Sequence, residues 1–179
     1  MTRRAIFFDR DGVLAIPTVR DGKTYAALSI AEFSLYPEAE EALRRARAAG
    51  FLNIVVTNQP DVASGKITQL EVEAMHDMLQ GNLDVDDIEV SYDPSGSDAP
   101  RRKPNPGMLL DAAAKWQISL ATSFMIGDRS VDMQAARRAG CTAVFIDRQY
   151  AADSRPESFD HSATNVLDAV LWCVAQASA

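Results

Sequence analysis

The chain has 179 residues, 47% of them hydrophobic and 24% charged, a composition that buries a core and excludes a disordered polypeptide. Its net charge of -7 opposes binding to a polyanion such as nucleic acid, and no apolar run reaches the roughly 18 residues of a membrane span. Two cysteines and two histidines exclude a disulfide framework, a four-cysteine metal site and chemistry built on several histidines. Cys141 and Cys173 therefore read as buried, reduced core. Asp9 and Asp11 stand where a secretory signal would have its apolar centre, which predicts a cytoplasmic chain.

Apolar runs alternate with helical patterns along the chain. Ala5–Phe8 is a short continuous apolar run ending in DRDG, the form of a strand buried on both faces. Glu38 to Ala49 predicts a helix, with Ala39, Ala42, Leu43 and Ala46 on one stripe and Gly50 as its stop. Phe51–Val56 is the next strand. Thr68 to Leu79 is a second helix, opened by Thr68 with Glu71 three residues on. Ile88–Tyr92 is a weak strand, and Asp93–Pro106 is a loop rich in Pro, Gly, Ser and Asp. Helices over Gly107–Lys115, Val131–Ala139 and Ala163–Ala177 alternate with strands over Ser123–Ile126 and Thr142–Ile146. This order predicts an α/β fold with a mostly parallel sheet of five to six strands and helices on both faces. The pieces on either side of the Asp93–Pro106 loop are each too short to close such a sheet, so residues 1–179 read as one domain.

Ligands of open α/β sheets bind beyond the carboxyl ends of the strands. Those ends carry Asp9 and Asp11, then Thr57 and Asn58, then Asp128 and Asp132, while Arg102 and Lys103 lie before the third helix. Carboxylates converging on one rim repel one another, and a hard divalent cation such as Mg²⁺ offsets that repulsion. A lysine and a threonine hydroxyl in the same place suit a phosphoryl group. An aspartate there can itself attack phosphorus. Taken singly, each residue has a plainer reading: Asp128 as a helix cap, Lys103 as a solvated lysine, any Asp-x-Asp as a turn.

Four clusters in order are more specific than any one of them. FFDRDGVL, VVTNQ, RRKPNPGMLL and MIGDRSVDMQAARRAG resemble the four motifs of the haloacid dehalogenase superfamily, over roughly residues 4 to 146. The words DRDG, TNQ, RKPNPGM and GDRxxDM are similar to its branch of histidinol-phosphate and heptose 1,7-bisphosphate phosphatases. The resemblance implies a Rossmann-like three-layer fold and a Mg²⁺-dependent phosphatase of a small phosphorylated metabolite. It implies Asp9 as nucleophile and metal ligand. Asp11 would be general acid and base, binding metal through its main-chain carbonyl, and Asp128 would complete the metal site. Thr57 and Lys103 would bind the phosphoryl oxygens, and Asp132 would orient Lys103 or a water. Arg10, Asn58, Gln59, Arg102 and Arg129 would contact substrate. Heptose 1,7-bisphosphate is then the lead substrate, with histidinol phosphate, or a non-catalytic binding role, as alternatives.

The chain departs from that branch in two places. Its relatives carry a zinc loop of three cysteines and one histidine before the RKP motif; here the stretch is SYDPSGSDAPRRKP, so no zinc is expected. Ser64 stands where an arginine is usual. The stretches from Asp11 to Thr57 and from Asn58 to Arg102 are too short for a large cap, so an open site is expected; the chain is also expected to be a monomer. Tyr25, in a flap, reads either as a lining residue or as a structural one. His76 reads as a surface or boundary histidine. Trp116, Trp172, Met108, Met125 and Met133 read as packing, and Arg44–Arg47 and Arg137–Arg138 as solvated helix faces.

Overall fold

A computed structural model describes residues 2–20, 23–150 and 155–177. The chain runs β1 (Arg4–Phe8), β2 (Thr18–Arg20), β3 (Lys23–Tyr25), α1 (Ala39–Ala48), β4 (Phe51–Asn58), α2 (Gln69–Asn82) and β5 (Asp87–Ser91). It continues through α3 (Gly107–Trp116), β6 (Phe124–Gly127), α4 (Ser130–Ala139), β7 (Thr142–Ile146), β8 (His161–Ala163) and α5 (Val166–Gln176).

Six strands form one sheet in the order β5-β4-β1-β6-β7-β8, with every neighbouring pair parallel. The side-chain period of two splits each inner strand between two cores. Ile6, Phe8, Phe51, Val55, Phe124 and Ile126 face α1, α2 and α5. Ala5, Phe7, Ile54, Val56 and Met125 face α3 and α4. Both faces of the sheet are covered, which is why these strands read as unbroken apolar runs. The fold is the expected three-layer, Rossmann-like architecture.

The chain builds outward from β1 to β4 and β5, then returns to place β6 on the other side of β1. That reversal is a topological switch point, and it opens a crevice at the carboxyl end of β1. The loops after β1, β4 and β6 all reach it. Among the described residues, the segment from β1 to β4 holds a turn, the β2–β3 hairpin and α1, with no inserted domain.

Local signals explain most boundaries. Thr68 Oγ1 accepts from Glu71 N at 3.2 Å while Glu71 Oε2 accepts from Thr68 N at 3.0 Å, a capping box that starts α2. Gly140, at φ 83°, ends α4 in the left-handed region. β4 runs past Val56 because Thr57 and Asn58 pair with Val90 and Ser91. The expected helix from Ala163 is corrected: His161–Ala163 pairs with β7 as a sixth strand. α5 begins only after Asn165, whose side chain accepts from Asp168 N at 2.9 Å. Cys141 and Cys173 are free and buried. Met108, Met125 and Met133 fill the core beneath the crevice.

Candidate active site

The turn after β1 is shaped by Gly12. Its φ is +88°, and a Cβ there would lie 1.9 Å from Asp128 Oδ2. Only glycine lets this turn pass so close to the end of β6. Gly127 serves the same end, because a Cβ on it would lie 2.2 Å from Asp132 Cβ. The two glycines bring Asp9, Asp128 and Asp132 together. These three buried residues each offer a carboxylate oxygen within 4.8 Å of the others. Among the described residues they are the one such gathering of three or more potential metal ligands.

Lys103 enters this cluster from the loop before α3, with a side chain only 2% exposed. Its ammonium has three N–H donors and finds three acceptors: Asp132 Oδ1 at 2.7 Å, Val56 O at 2.8 Å and Asp9 Oδ1 at 2.9 Å. One buried cation thus faces three carboxylates. Burial, then repulsion from Asp132, pushes the Asp9 carboxyl up to about 6, although Lys103 pulls the other way. Asp128 is likewise raised, by burial and by Asp9 and Asp132. Burial alone would lower Lys103, but Asp132 and Asp9 outweigh it and hold the ammonium above the ordinary lysine range.

The donor set fits a hard divalent cation. Asp128 Oδ1 is buried and has no hydrogen-bond partner, an orphaned acceptor that native interiors rarely leave. Asp132 is differently placed, since Oδ1 meets Lys103 and Oδ2 accepts from Arg129 N at 3.1 Å. Asp9 Oδ1 accepts from Arg10 N at 2.8 Å as well as from Lys103. Thr57, Asn58 and Gln59 complete the floor and rim from the end of β4. A cleft of about 490 Å³ opens above, lined by Asp9, Asp11, Asn58, Arg102, Lys103 and Arg129 among others.

Comparison with known proteins agrees with this geometry. The haloacid dehalogenase-like hydrolase family matches residues 16–140. The chain belongs to the haloacid dehalogenase-like hydrolases. A heptose-1,7-bisphosphate 7-phosphatase of Escherichia coli (strain K12) is 35% identical, over 74% of this chain and 72% of that protein. Its counterpart in Chlorobaculum tepidum is 30% identical, over 93% of this chain and 92% of that protein. The crystal structure of D,D-heptose 1,7-bisphosphate phosphatase from B. bronchiseptica, complexed with magnesium and phosphate, superposes with a TM-score of 0.81 at 25% identity. That match covers 97% of this chain and 99% of the other. The catalytic class is that of this family's phosphatases, the phosphoric monoester hydrolases.

Within this haloacid dehalogenase-like site the remaining expected residues separate into two groups. Arg102 and Arg129 line the cleft. Arg102 Nη1 donates to Asp93 O at 3.2 Å, and burial lowers its proton affinity. Arg129 Nη2 donates to Thr24 Oγ1 and, at 3.2 Å, to Thr24 O, tying α4 to the β2–β3 flap. Tyr25, on the same flap, lines the cleft and is 41% exposed. Asn58 also lines it, but its amide clips the Lys103 main chain, donating to Lys103 O at 3.0 Å and accepting from Lys103 N at 3.1 Å.

Arg10 and Gln59, expected to contact substrate, are buried and do not line the cleft. Gln59 is 2% exposed and its Nε2 donates to Asp11 Oδ2 at 2.8 Å and to Thr57 Oγ1 at 2.9 Å. Arg10 is 0% exposed, its guanidinium turned inward onto Asp11 and His76. A strong cation so placed is held by its partners and is absent from the lining of the cleft. His76 is likewise buried, contrary to the surface or boundary reading. The signal was available: Val72, Met75, His76 and Leu79 form one buried stripe of α2 at spacings of three and four.

Three further features had no sequence signal. Lys66 and Asp61 form an ion pair of 2.9 Å at the cleft mouth. Arg148 donates from Nε to Gly12 O at 2.9 Å and lies over Tyr36, pinning the catalytic turn from the segment after β7. The loop before Lys103 closes on itself, with Asn105 Nδ2 donating to Asp98 O at 3.2 Å and to Ala99 O at 3.1 Å.

Proposed function

We propose that the chain is a Mg²⁺-dependent phosphomonoesterase that hydrolyses a small sugar phosphate through an aspartyl-phosphate, with D-glycero-D-manno-heptose 1,7-bisphosphate as lead substrate. The observation that carries this reading is Lys103 Nζ bridging Asp9 and Asp132 beside the unpaired Asp128 Oδ1. Asp9, Asp128 and the main-chain carbonyl of Asp11 would hold the cation. Asp132 has both oxygens engaged by Lys103 and Arg129 N and acts as the anchor of Lys103. The bound cation offsets carboxylate charge and polarises a phosphoryl oxygen.

The protein groups then divide the work. An Asp9 oxygen attacks phosphorus; as that O–P bond forms, the bond from phosphorus to the sugar oxygen breaks. A proton from Asp11 goes to the departing oxygen. Asp11, now a carboxylate, takes a proton from water, the water oxygen attacks phosphorus, and the Asp9–phosphorus bond breaks to release phosphate. Gln59 donates to Thr57 Oγ1, which leaves the Thr57 hydroxyl hydrogen free to point at a phosphoryl oxygen. Lys103 neutralises charge that develops on the other oxygens.

The substrate assignment rests on relatives named for the heptose bisphosphate and on the guanidinium of Arg102 in the cleft lining. Phosphate release from a panel of sugar phosphates and histidinol phosphate, with EDTA and with added Mg²⁺, tests it. Asp9→Asn is expected to lower turnover by about three orders of magnitude or more, since no other group replaces an obligate nucleophile. Retention of a tenth of the activity would overturn the nucleophile, and equal activity in EDTA would overturn the metal. No structural zinc is expected in elemental analysis of the purified protein.

A further inference from the structure

We infer that His76, on α2, is a positioning residue for this phosphatase: it fixes Arg10, and Arg10 fixes the acid–base carboxyl of Asp11. The inference rests on the proposed role of Asp11 and adds to it a residue 65 positions away in the chain.

The geometry is a closed set of contacts. Arg10 Nε donates to Asp11 Oδ2 at 3.1 Å and Nη2 donates to Asp11 Oδ1 at 3.2 Å, a forked grip on both carboxyl oxygens. The guanidinium lies over the Phe33 ring, 5.3 Å from its centroid. On its other side, Nη1 lies 3.2 Å from His76 Nε2. Arginine has donors only, so Nε2 must supply a lone pair. The imidazole is therefore neutral, with its hydrogen on Nδ1, because an imidazolium would turn an N–H against the guanidinium. Burial, together with Arg10, pushes His76 down to about 4, in agreement with that state.

The arrangement has a mechanical consequence. Arg10 and Asp11 are neighbours in the turn, and the guanidinium that joins them is held from outside by the Phe33 ring and His76. His76 is 7% exposed and comes from a helix packed by Val72, Met75 and Leu79. It gives Arg10 a fixed acceptor opposite the fork. Without it, the buried Nη1 loses a partner and the guanidinium turns to find another. Asp11 then keeps only the Gln59 contact at 2.8 Å. A proton donor displaced by a fraction of an ångström transfers poorly, and a poor leaving group suffers most.

Single-turnover phosphoryl transfer tests the inference with three substitutions at one position. His76→Met fills the space without an acceptor, His76→Asn places its carbonyl too near the backbone, and His76→Gln puts an oxygen close to the place of Nε2. The Met and Asn variants are expected to lose about 10-fold in rate on a hexose monophosphate and under about threefold on p-nitrophenyl phosphate, whose leaving group needs no proton. The Gln variant is expected to recover the hexose phosphate rate to within about threefold of the parent. Thermal unfolding of each variant establishes that it is folded; if the Met variant is not, the Asn and Gln pair carries the comparison. Equal losses on both substrates, no loss on either, or failure of Gln to recover would overturn the role of His76. Asp11→Asn is measured alongside: if it shows no dependence on leaving group, the acid reading of Asp11 fails instead.

Discussion

Removing one carboxylate from the site is expected to make the metal-free protein more stable. Asp128 is 5% exposed and its Oδ1 has no partner, while a single lysine serves Asp9 and Asp132. Burial and the neighbouring Asp9 and Asp132 raise the Asp128 carboxyl; Asp9, also buried, is pushed from 3.8 up to about 6. Two pKa units correspond to about 3 kcal/mol. The sign follows from linkage: between pH 3.8 and about 6 the folded state binds more protons than the unfolded one, so stability falls as pH rises. Above that window the charged Asp9 carboxylate weakens the metal-free fold by an amount of this order, and burial beside Asp9 and Asp132 pushes Asp128 in the same direction. Asp128→Asn removes the charge, keeps the shape and offers an amide that can donate to Asp9 or Asp132. In EDTA at pH 8 it is expected to raise Tm by about 2 °C or more, the shift that a gain of about 1 kcal/mol produces in a chain of this size. At pH 4, where Asp9 is protonated, the gain shrinks. The parent is expected to gain stability from Mg²⁺, about 2.7 kcal/mol at a hundredfold excess over Kd, and the variant is not. Thermal melts of both proteins, with EDTA and with Mg²⁺ at the two pH values, give the whole comparison. A lower Tm for Asp128→Asn in EDTA, or an undiminished response to Mg²⁺, would refute the reasoning.

The other expectations are local. Gly12→Ala forces a side chain into a turn at φ +88° and to within 1.9 Å of Asp128 Oδ2; both Tm and the Mg²⁺ response are expected to drop, by at least about 1 kcal/mol in stability. Arg102→Ala is expected to lower kcat/KM for the true substrate by about 10- to 100-fold, or roughly 1.4–2.7 kcal/mol, and to leave p-nitrophenyl phosphate almost unaffected. Equal losses would mean that its bond to Asp93 O supports the Lys103 loop.

The candidate site residues Asp9, Thr57 and Asp128 were legible because Asp9 and Asp128 follow a strand directly and Thr57 lies at the end of one. An apolar run that stops in a carboxylate marks the carboxyl edge of a buried sheet, and that edge is where Asp9, Thr57 and Asp128 lie. Lys103 was legible only through its motif, because nothing local requires a loop lysine to cross into the core and meet Asp9 and Asp132. The direction of Arg10 was not legible from its own place in the chain. Chain position places it between Asp9 and Asp11, facing the cleft as readily as the interior. What turns it inward is a neutral imidazole from another element, together with the Phe33 ring. Three residues of β8 are too few to show a period, so only the edge of β7 reveals them as a strand.

His76 shows what a closer reading of the sequence can still extract. A polar residue on the buried stripe of α2 must have a partner, since an unpaired imidazole in the core costs on the order of 1–3 kcal/mol. α2 packs on the same side of the sheet as Phe8, Val55 and Phe33, so the partner must come from the turn below β1 or the end of β4. Of the polar side chains there, Arg10 alone combines a donor-only head with the length to reach a helix. The apolar pattern that placed α2 against the sheet thus also carried, in its one exception, the contact that connects the helix to the catalytic turn.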